Sequence, residues 1–331
     1  MVLVSECTTM MAVFHGLLVM ALVLGGASAD TLVKDPPVSR IKMPIGFALT
    51  DMAEGANSKI FTVGIRGGRG ELIEINTKKE TRDLLKRFNR QFATILYIRS
   101  KDWFLASDAV KPGLLVMNRE KGLTKLARCE MPGGVVPTRM IIADEVVWFG
   151  GVDKRNIYSI KVKNLLDCKI KSKKLNNIPK GSGDSLAYIQ DVAEFKGLLF
   201  LAVANANFET PEGNGAIYLY DPEKDRGRFV VSNQFNFNLR LVSGLVRSER
   251  TLYAAAKKSP APNLPADNRI TAWKIKNSKY GEIEVSYLGR FQNSFGGTDY
   301  DAIIYSKDRV CVSSVLVGRD NVVCYDATIF G

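Results

Sequence analysis

Oxygen-bearing side chains are the groups in this chain that could bind a metal ion. Asp51, Asp184 and Asp301 each lie in or beside a short apolar segment, and Asn205, Asn207 and Asn214 share one polar loop. Calcium prefers oxygen ligands from carboxylates, Asn side chains and carbonyl groups. We therefore predict Asp301, Asp184 and Asp51 as metal ligands for Ca²⁺ and the three asparagines as ligand-loop residues, with solvated turn residues as the alternative interpretation.

Histidine-dependent chemistry is excluded for the chain after residue 15, because no histidine follows that position. The one histidine, His15, lies in the N-terminal segment that we expect to be removed. Without it, neither a Ser-His-Asp or Cys-His nucleophile nor a His-ligated metal can form. The glycine-rich segment from Gly64 to Gly70 lacks the Lys-Ser/Thr of a phosphate loop, so we interpret it as a hairpin turn. The sequence identifies no catalytic residue.

The N-terminus has the pattern of a secretory signal. Apolar residues 12–24 precede the small residues Gly25 to Ala29, and this run is too short to span a bilayer. No Lys or Arg precedes it, and initiation at Met10 or Met11 would remove the acidic Glu6. We predict that residues 1–29 are a signal peptide, with a buried strand as the alternative. Residues 30–331 then form one secreted domain without a membrane span.

Four cysteines remain after residue 29: Cys129, Cys168, Cys311 and Cys324. In a secreted chain they suggest two disulfides, although the sequence permits three pairings and buried thiols are the alternative. Cys311 and Cys324 lie on consecutive predicted strands, where a cross-strand bridge is sterically plausible. By elimination, Cys129 pairs with Cys168.

A repeated strand pattern must position these groups. An apolar segment, a second apolar strand, a turn and a charged third strand recur about six times. The second strands begin at Ile60, Trp103, Val146, Leu198, Leu252 and Val310, and the repeats span 44–88, 89–134, 135–183, 184–235, 236–296 and 297–331. Their spacing of roughly 40 to 60 residues suits four-stranded blades. The fold class is therefore all-β, a six-bladed β-propeller with seven blades as the fallback.

The last repeat ends one strand short, and the N-terminal segment Val38 to Ile41 can complete it. The first segment of each repeat should line the central channel, including Ile45 to Leu49 in repeat one and Arg139 to Ala143 in repeat three. Loops 205–215 and 257–268 join second to third strands, so both should emerge on one face. Long loops beside a channel mouth favour a ligand site there, with plain surface decoration as the alternative.

The formal net charge of +12 favours polyanions as partners. Lysines are densest in one segment: Lys161, Lys163, Lys169, Lys171, Lys173 and Lys174. A solvated outer strand, whose lysines protect an exposed edge, is the more ordinary interpretation of this cluster.

Third strands ending in Tyr220-Asp221 and Tyr325-Asp326 resemble those of the six-bladed propeller superfamily. It includes the gluconolactonase and senescence-marker-protein family, strictosidine-synthase-like proteins and Yellow-like proteins. Asp301-Ala302-Ile303 is similar to the Asp-Gly-Leu stretch of the lactonases, which implies a metal-ligating role for Asp301. The lactonase Gly-Glu-Gly-Pro-x-Trp stretch is absent at residues 45–49. The opening from Met43 to Val63 is similar to Yellow-type proteins, which implies small-ligand binding.

Two functions follow as expectations. The first is a non-enzymatic module that binds a small molecule or protein partner at one channel mouth. The alternative is a calcium-dependent hydrolase of a lactone or ester. Side-chain oxygens from at least three blades should converge on the axis if the hydrolase is correct.

Overall fold

The computed structural model describes residues 32–33, 38–152, 154–178, 187–204, 216–232, 242–256, 270–291, 302–316 and 319–330. They form six sheets arranged as the blades of a β-propeller, which confirms the six-bladed prediction. Before the first blade come β1 (Leu32–Val33) and β2 (Ser39–Lys42). Short 3-10 turns occur at Arg99–Lys101, Pro132–Gly134, Val162–Asn164 and Thr328–Phe330.

The blades follow one another along the chain. Blade one comprises β3 (Ala48–Glu54), β4 (Lys59–Arg66), β5 (Arg69–Asn76) and β6 (Thr81–Phe88). Blade two comprises β7 (Phe92–Ile98), β8 (Trp103–Asp108), β9 (Gly113–Asn118) and β10 (Thr124–Glu130). Blade three comprises β11 (Pro137–Ala143), β12 (Val146–Gly151), β13 (Lys154–Lys161) and β14 (Lys171–Lys174).

The second half repeats the arrangement. Blade four comprises β15 (Tyr188–Phe195), β16 (Leu198–Ala204), β17 (Ala216–Asp221) and β18 (Arg226–Ser232). Blade five comprises β19 (Val242–Ser248), β20 (Thr251–Ala256), β21 (Ile270–Lys276) and β22 (Glu284–Phe291). Blade six comprises β23 (Ile303–Ser306), β24 (Arg309–Leu316) and β25 (Arg319–Asp326), and β2 is its outermost strand.

The closure of the ring by the N-terminal segment is confirmed. β2 pairs antiparallel with β25, with Ile41 opposite Val322 and Arg40 opposite Val323. Ile41 and Met43 are buried in the apolar cluster between blades six and one. The two-residue strand β1 pairs parallel with β22 at the outer edge of blade five. The N-terminal segment therefore covers two strand edges that would otherwise be open.

Apolar side chains fill each space between neighbouring blades. Because successive residues of a strand point to opposite faces, each blade contributes to two clusters. Leu252 packs between blades four and five, whereas its neighbour Tyr253 packs between blades five and six. The innermost strands of successive blades contact one another around the whole ring, including β23 with β3. This ring of inner strands forms the channel wall.

Both predicted disulfides are present. Cys311 and Cys324 are opposite residues of β24 and β25, with Cα atoms 4.0 Å apart. Cys129 on β10 bonds to Cys168, which follows the turn at Val162–Asn164, with Cα atoms 5.0 Å apart. The second bridge joins blade two to blade three. Among the described residues, no helix is both long and apolar enough to cross a membrane.

Some strand boundaries differ from the sequence prediction. The first strand of repeat one is Ala48–Glu54 rather than Ile45 to Leu49, because it continues through the polar residues Asp51 and Glu54. The lysine-rich strand begins at Lys171, and all four residues of β14 are exposed, so it is an edge strand with two wet faces. The glycine-rich segment is the predicted hairpin turn, with Gly67 and Gly68 at positive φ between β4 and β5.

Candidate ligand site at the channel mouth

A buried arginine crosses the channel from blade three. The Arg139 side chain is only 10 % exposed. Its Nε donates to Asp51 Oδ1 of blade one at 2.8 Å, and its Nη1 donates to Asp191 Oδ2 of blade four at 2.9 Å. Its Nη2 donates to the Ile303 carbonyl of blade six at 2.6 Å. One side chain thus links four blades and obstructs the axis.

The two carboxylates are themselves held by the backbone and a hydroxyl. Thr94 Oγ1 donates to Asp51 Oδ2 at 2.5 Å, and the Ile95 amide donates to the same oxygen at 3.0 Å. The Val192 amide donates to Asp191 Oδ1 at 2.8 Å. Burial opposes the charge on Arg139, but the carboxylates of Asp191 and Asp51 outweigh it and raise the arginine's pKa. Arg139 is therefore a permanent cation.

A β-bulge recurs near the start of the inner strands. The pairing register shifts before Asp51, Thr94, Met140, Asp191 and Gly244 in the first five blades. A bulge re-aims the following side chain, and it recurs where the backbone must turn toward the axis. Thr50 and Thr138 lie at such shifts and donate to carbonyls of the next blade's inner strand, at 2.8 and 2.7 Å.

The pairing register assigns equivalent positions to the six inner strands. One position contains the ion cluster and its neighbours, and we name it the floor ring: Asp51, Thr94, Arg139, Asp191, Gly244 and Ala302. Gly244 has no room for a side chain, because a Cβ there would lie 2.5 Å from Ile303 Cγ2 and 3.0 Å from Arg139 Nη1. The small residue leaves space for the guanidinium.

A cavity of about 880 Å³ opens from the floor ring toward the ends of the inner strands. Its inner apolar ring is Met52, Ile95, Met140, Val192 and Ile303, and its outer apolar ring is Ala53, Leu96, Ile141, Ala193, Val246 and Ile304. Its mouth ring is Glu54, Tyr97, Ile142, Glu194, Arg247 and Tyr305. Arg139 and Asp191 line the inner end. The volume is in the range of small-molecule sites.

The mouth ring carries charges that are largely paired. Arg247 Nε donates to the Glu194 carbonyl, and its Nη2 lies 3.6 Å from Glu194 Oε2. Glu54 is exposed inside the concave mouth, where surrounding protein atoms raise its pKa and Arg99 partly offsets that shift. Tyr97 donates its hydroxyl to Asp102 at 2.6 Å. The rim is polar and the wall behind it is apolar.

The structure tests the predicted site residues only in part. Asp51 is buried, but its carboxylate is engaged by Arg139, Thr94 and the Ile95 amide. A guanidinium at 2.8 Å fits poorly beside a cation bound by the same carboxylate. The other predicted residues lie outside the described part of the chain: Asp184, Asp301, Asn205, Asn207 and Asn214. Within the described ranges, no group of three His, Cys, Asp or Glu side chains is placed to hold a metal. The calcium site stays a prediction.

The predicted ligand loops 205–215 and 257–268 lie outside the described residues. Ala204, which precedes loop 205–215, pairs with Tyr188 at the start of β15, whereas Glu194 of the mouth ring lies near its end. Arg139 was expected only as part of a channel-lining strand. The sequence does contain a signal for the ion cluster. Arg139, Asp51 and Asp191 are charged residues at the same position of the inner strand in repeats three, one and four.

The comparisons with known proteins bear on the fold. No family model matches this chain, and no curated protein matches it. Among 792 solved chains that match is the β-propeller domain of Cps50 (Swd1) from Myceliophteria thermophila. The TM-score is 0.54 with 10 % identity, over 84 % of this chain and 82 % of that chain. Such similarity shows a shared β-propeller fold alone, so the resemblance to lactonases, strictosidine-synthase-like and Yellow-like proteins stays a prediction.

Proposed function

We propose that this protein is a secreted binding module that holds a small organic molecule in the described channel mouth. The observation that carries the proposal is the 880 Å³ cavity, which has two apolar rings, a polar rim and an inner end obstructed by Arg139. Ligand sites are concave and mostly apolar, with a few polar groups that fix orientation. No described cluster of carboxylates supports the hydrolase alternative.

Secretion is part of this proposal. The support is the pair of disulfides, which form and persist in oxidising compartments, together with the N-terminal signal pattern. Expression of the full chain in a secreting eukaryotic cell tests it. We expect mature protein in the medium that begins at Asp30. Retention of residues 1–29 on secreted protein, or absence from the medium despite folding, contradicts it.

A fluorescence titration with N-phenyl-1-naphthylamine, an uncharged apolar probe, tests binding in the mouth. Ile142 is 36 % exposed in the mouth ring, so Ile142→Arg should obstruct the cavity without disturbing a buried core. Val110→Arg is the matched control, because Val110 is 69 % exposed and is not among the cavity residues. We expect saturable one-to-one binding that Ile142→Arg abolishes and Val110→Arg leaves intact. Equal binding by both variants overturns the proposal.

A further inference from the structure

The fourth strands of the blades carry most of the positive charge of this chain. These strands, β2, β6, β10, β14, β18 and β22, contain thirteen Lys or Arg residues and three Asp or Glu residues. The six inner strands contain two basic and four acidic residues. The formal net charge of +12 is therefore arranged radially, with the cations concentrated on the outside of the ring.

This charge is densest on the outer edge of blade three. Six exposed lysines form a surface that we name the lysine edge: Lys161, Lys163, Lys169, Lys171, Lys173 and Lys174. Asp167 is the one acidic residue between the first and the last of them in the sequence. Lys173 forms an ion pair with Asp225 of blade four, and Lys169 lies 3.6 Å from Asp167. The other four have no acidic partner among the described residues.

Strand pairing arranges these cations on both faces of the sheet edge. β14 pairs antiparallel with β13, and Lys173 lies opposite Ile157. Ile157 packs between blades three and four, so Lys173 and Lys171 project toward blade four, about 7 Å apart along the strand. Lys174 projects to the other face. A chain of anions that follows the edge would meet a cation at each step.

Protection of an exposed sheet edge does not account for the whole surface. That role needs lysines only on the edge strand itself. Lys161, Lys163 and Lys169 precede β14, which begins at Lys171. Three of the six lysines therefore lie where no strand edge requires them.

The segment that precedes β14 is held in place by the fold. Leu165 is buried, and Cys168 is bonded to Cys129 of blade two. The Lys169 amide donates to the Asn164 carbonyl at 3.4 Å. A backbone fixed in this way loses little conformational entropy when its side chains bind a partner. The second disulfide thus holds part of the lysine edge ready for binding.

The residue types favour a sulfated polysaccharide over a nucleic acid. Residues 161–174 contain no Arg and no aromatic side chain. Single strands of nucleic acid bind through aromatic stacking, and Arg supplies the bidentate fork for phosphate. A lysine ammonium is a hydrated point charge that pairs with an anion without fixed geometry. The two disulfides are consistent with an extracellular protein, and sulfated polysaccharides are extracellular polyanions.

We propose that the lysine edge binds a linear sulfated polysaccharide that runs along the outside of blade three. The neighbouring strand β10 adds the exposed Lys125, so a longer chain gains further contacts. This surface is separate from the cavity, and the inference does not depend on the small-molecule ligand proposed above.

Fluorescence anisotropy with a labelled heparin dodecasaccharide tests the proposal. One variant changes the four lysines without an acidic partner to Gln: Lys161, Lys163, Lys171 and Lys174. The control variant makes the same change in net charge at exposed turn lysines elsewhere: Lys78, Lys79, Lys121 and Lys307. Each exposed contact is weak, but the loss of four should weaken binding about tenfold or more, and the control should stay within about twofold. Added salt should weaken wild type more steeply than the lysine-edge variant.

Lysine acetylation of the wild-type protein, mapped by mass spectrometry, locates the surface without any substitution. Bound heparin should protect the lysine edge, while the four control lysines stay reactive. Equal weakening of binding in the two variants, or equal protection of the control lysines, overturns the proposal, because net charge alone would then explain the binding. Circular dichroism melting checks that both variants fold.

Competing polyanions distinguish the class of partner. A heparin hexasaccharide should compete less well than the dodecasaccharide, and hyaluronan, which has carboxylates but no sulfates, should be weaker still. Equal affinity for hyaluronan overturns the choice of a sulfated chain. Tighter binding of oligothymidylate of equal charge, or of phosphatidylserine vesicles, overturns it in favour of a nucleic acid or a membrane. Absence of heparin binding overturns the inference and leaves the cavity proposal standing.

Discussion

The ion cluster on the axis gains its stability from having all three members. Each carboxylate contacts the guanidinium and at least one backbone amide, so its desolvation is offset by charge and by hydrogen bonds. The cluster also depends on its neighbours, because Gly244 leaves the room that the guanidinium occupies. Removal of Arg139 leaves the Asp51 carboxylate uncompensated in the interior, which costs more than the loss of a contact.

Arg139→Met tests this dependence. The substitution keeps an apolar side chain of similar length but leaves the Asp51 carboxylate buried without its cation, so we expect a loss of about 3–5 kcal/mol in the free energy of unfolding. Arg87→Met is the control: Arg87 is 56 % exposed and its partner Glu71 retains Arg66, so the loss should stay below about 1 kcal/mol. Urea denaturation measures both.

A second substitution distinguishes charge from packing. Asp51→Asn should destabilise the wild-type protein, yet it should stabilise the Arg139→Met variant, because it removes the carboxylate that has lost its cation. Destabilisation by Asp51→Asn in both backgrounds would show that shape, rather than charge, governs this position.

Glu54 provides a pH-dependent prediction. Protein atoms around the concave mouth raise the pKa of its carboxyl above the ordinary value of 4.5, with Arg99 opposing the shift. The folded state therefore disfavours the ionised form: no cost arises below the ordinary pKa, and the cost is complete above the raised folded value. We expect Glu54→Gln to be more stable than wild type at pH 7, with the difference vanishing near pH 4. Thermal denaturation at the two pH values measures it, and a less stable variant at pH 7 would contradict the prediction.

At the level of strands, local patterns predicted the blades because each strand carries its own apolar alternation and turn residues. They failed where an inner strand is polar. Asp51 and Glu54 resemble turn residues, but they continue β3 because one meets Arg139 and the other faces the open mouth. Glu194 extends β15 beyond its apolar part in the same way. Partners that lie 88 or 52 residues away leave no local trace in the sequence.

The two disulfides should stabilise by different amounts. In the chain-entropy model the benefit grows with the length of the closed loop. The separation of 13 residues for Cys311–Cys324 corresponds to about 3 kcal/mol, and that of 39 residues for Cys129–Cys168 to about 4 kcal/mol. Double Cys→Ala variants of each pair, compared by urea denaturation, should show the larger loss for Cys129 and Cys168. Peptide mapping of the unreduced protein must first find both bridges, and free thiols would contradict the prediction.

For the molecule as a whole, each blade is covered by its neighbours on both faces. Six apolar clusters among the described residues join adjacent blades, and Arg139 adds connections across the ring. The unfolding of one blade therefore exposes apolar surface on its two neighbours. If that blade is one, three, four or six, its unfolding also breaks the contacts of Arg139. This arrangement favours cooperative unfolding of the ring over the loss of single blades.

The closing strand β2 allows that cooperativity to be tested. Ile41 is buried between blades six and one, so Ile41→Ala should cost about 2–5 kcal/mol of stability. Lys42→Ala, at the exposed neighbouring position, should change stability by less than about 0.5 kcal/mol.

The three tryptophans, Trp103, Trp148 and Trp273, lie in blades two, three and five, so their fluorescence reports on parts of the ring that do not contain the substitution. If the ring unfolds as one unit, Ile41→Ala shifts the fluorescence transition and the far-UV circular dichroism transition by the same amount, because the loss of blade six uncovers blades one and five. An early loss of circular dichroism with an unchanged fluorescence midpoint would instead mean that blade six unfolds alone and that β2 closes the ring without coupling it.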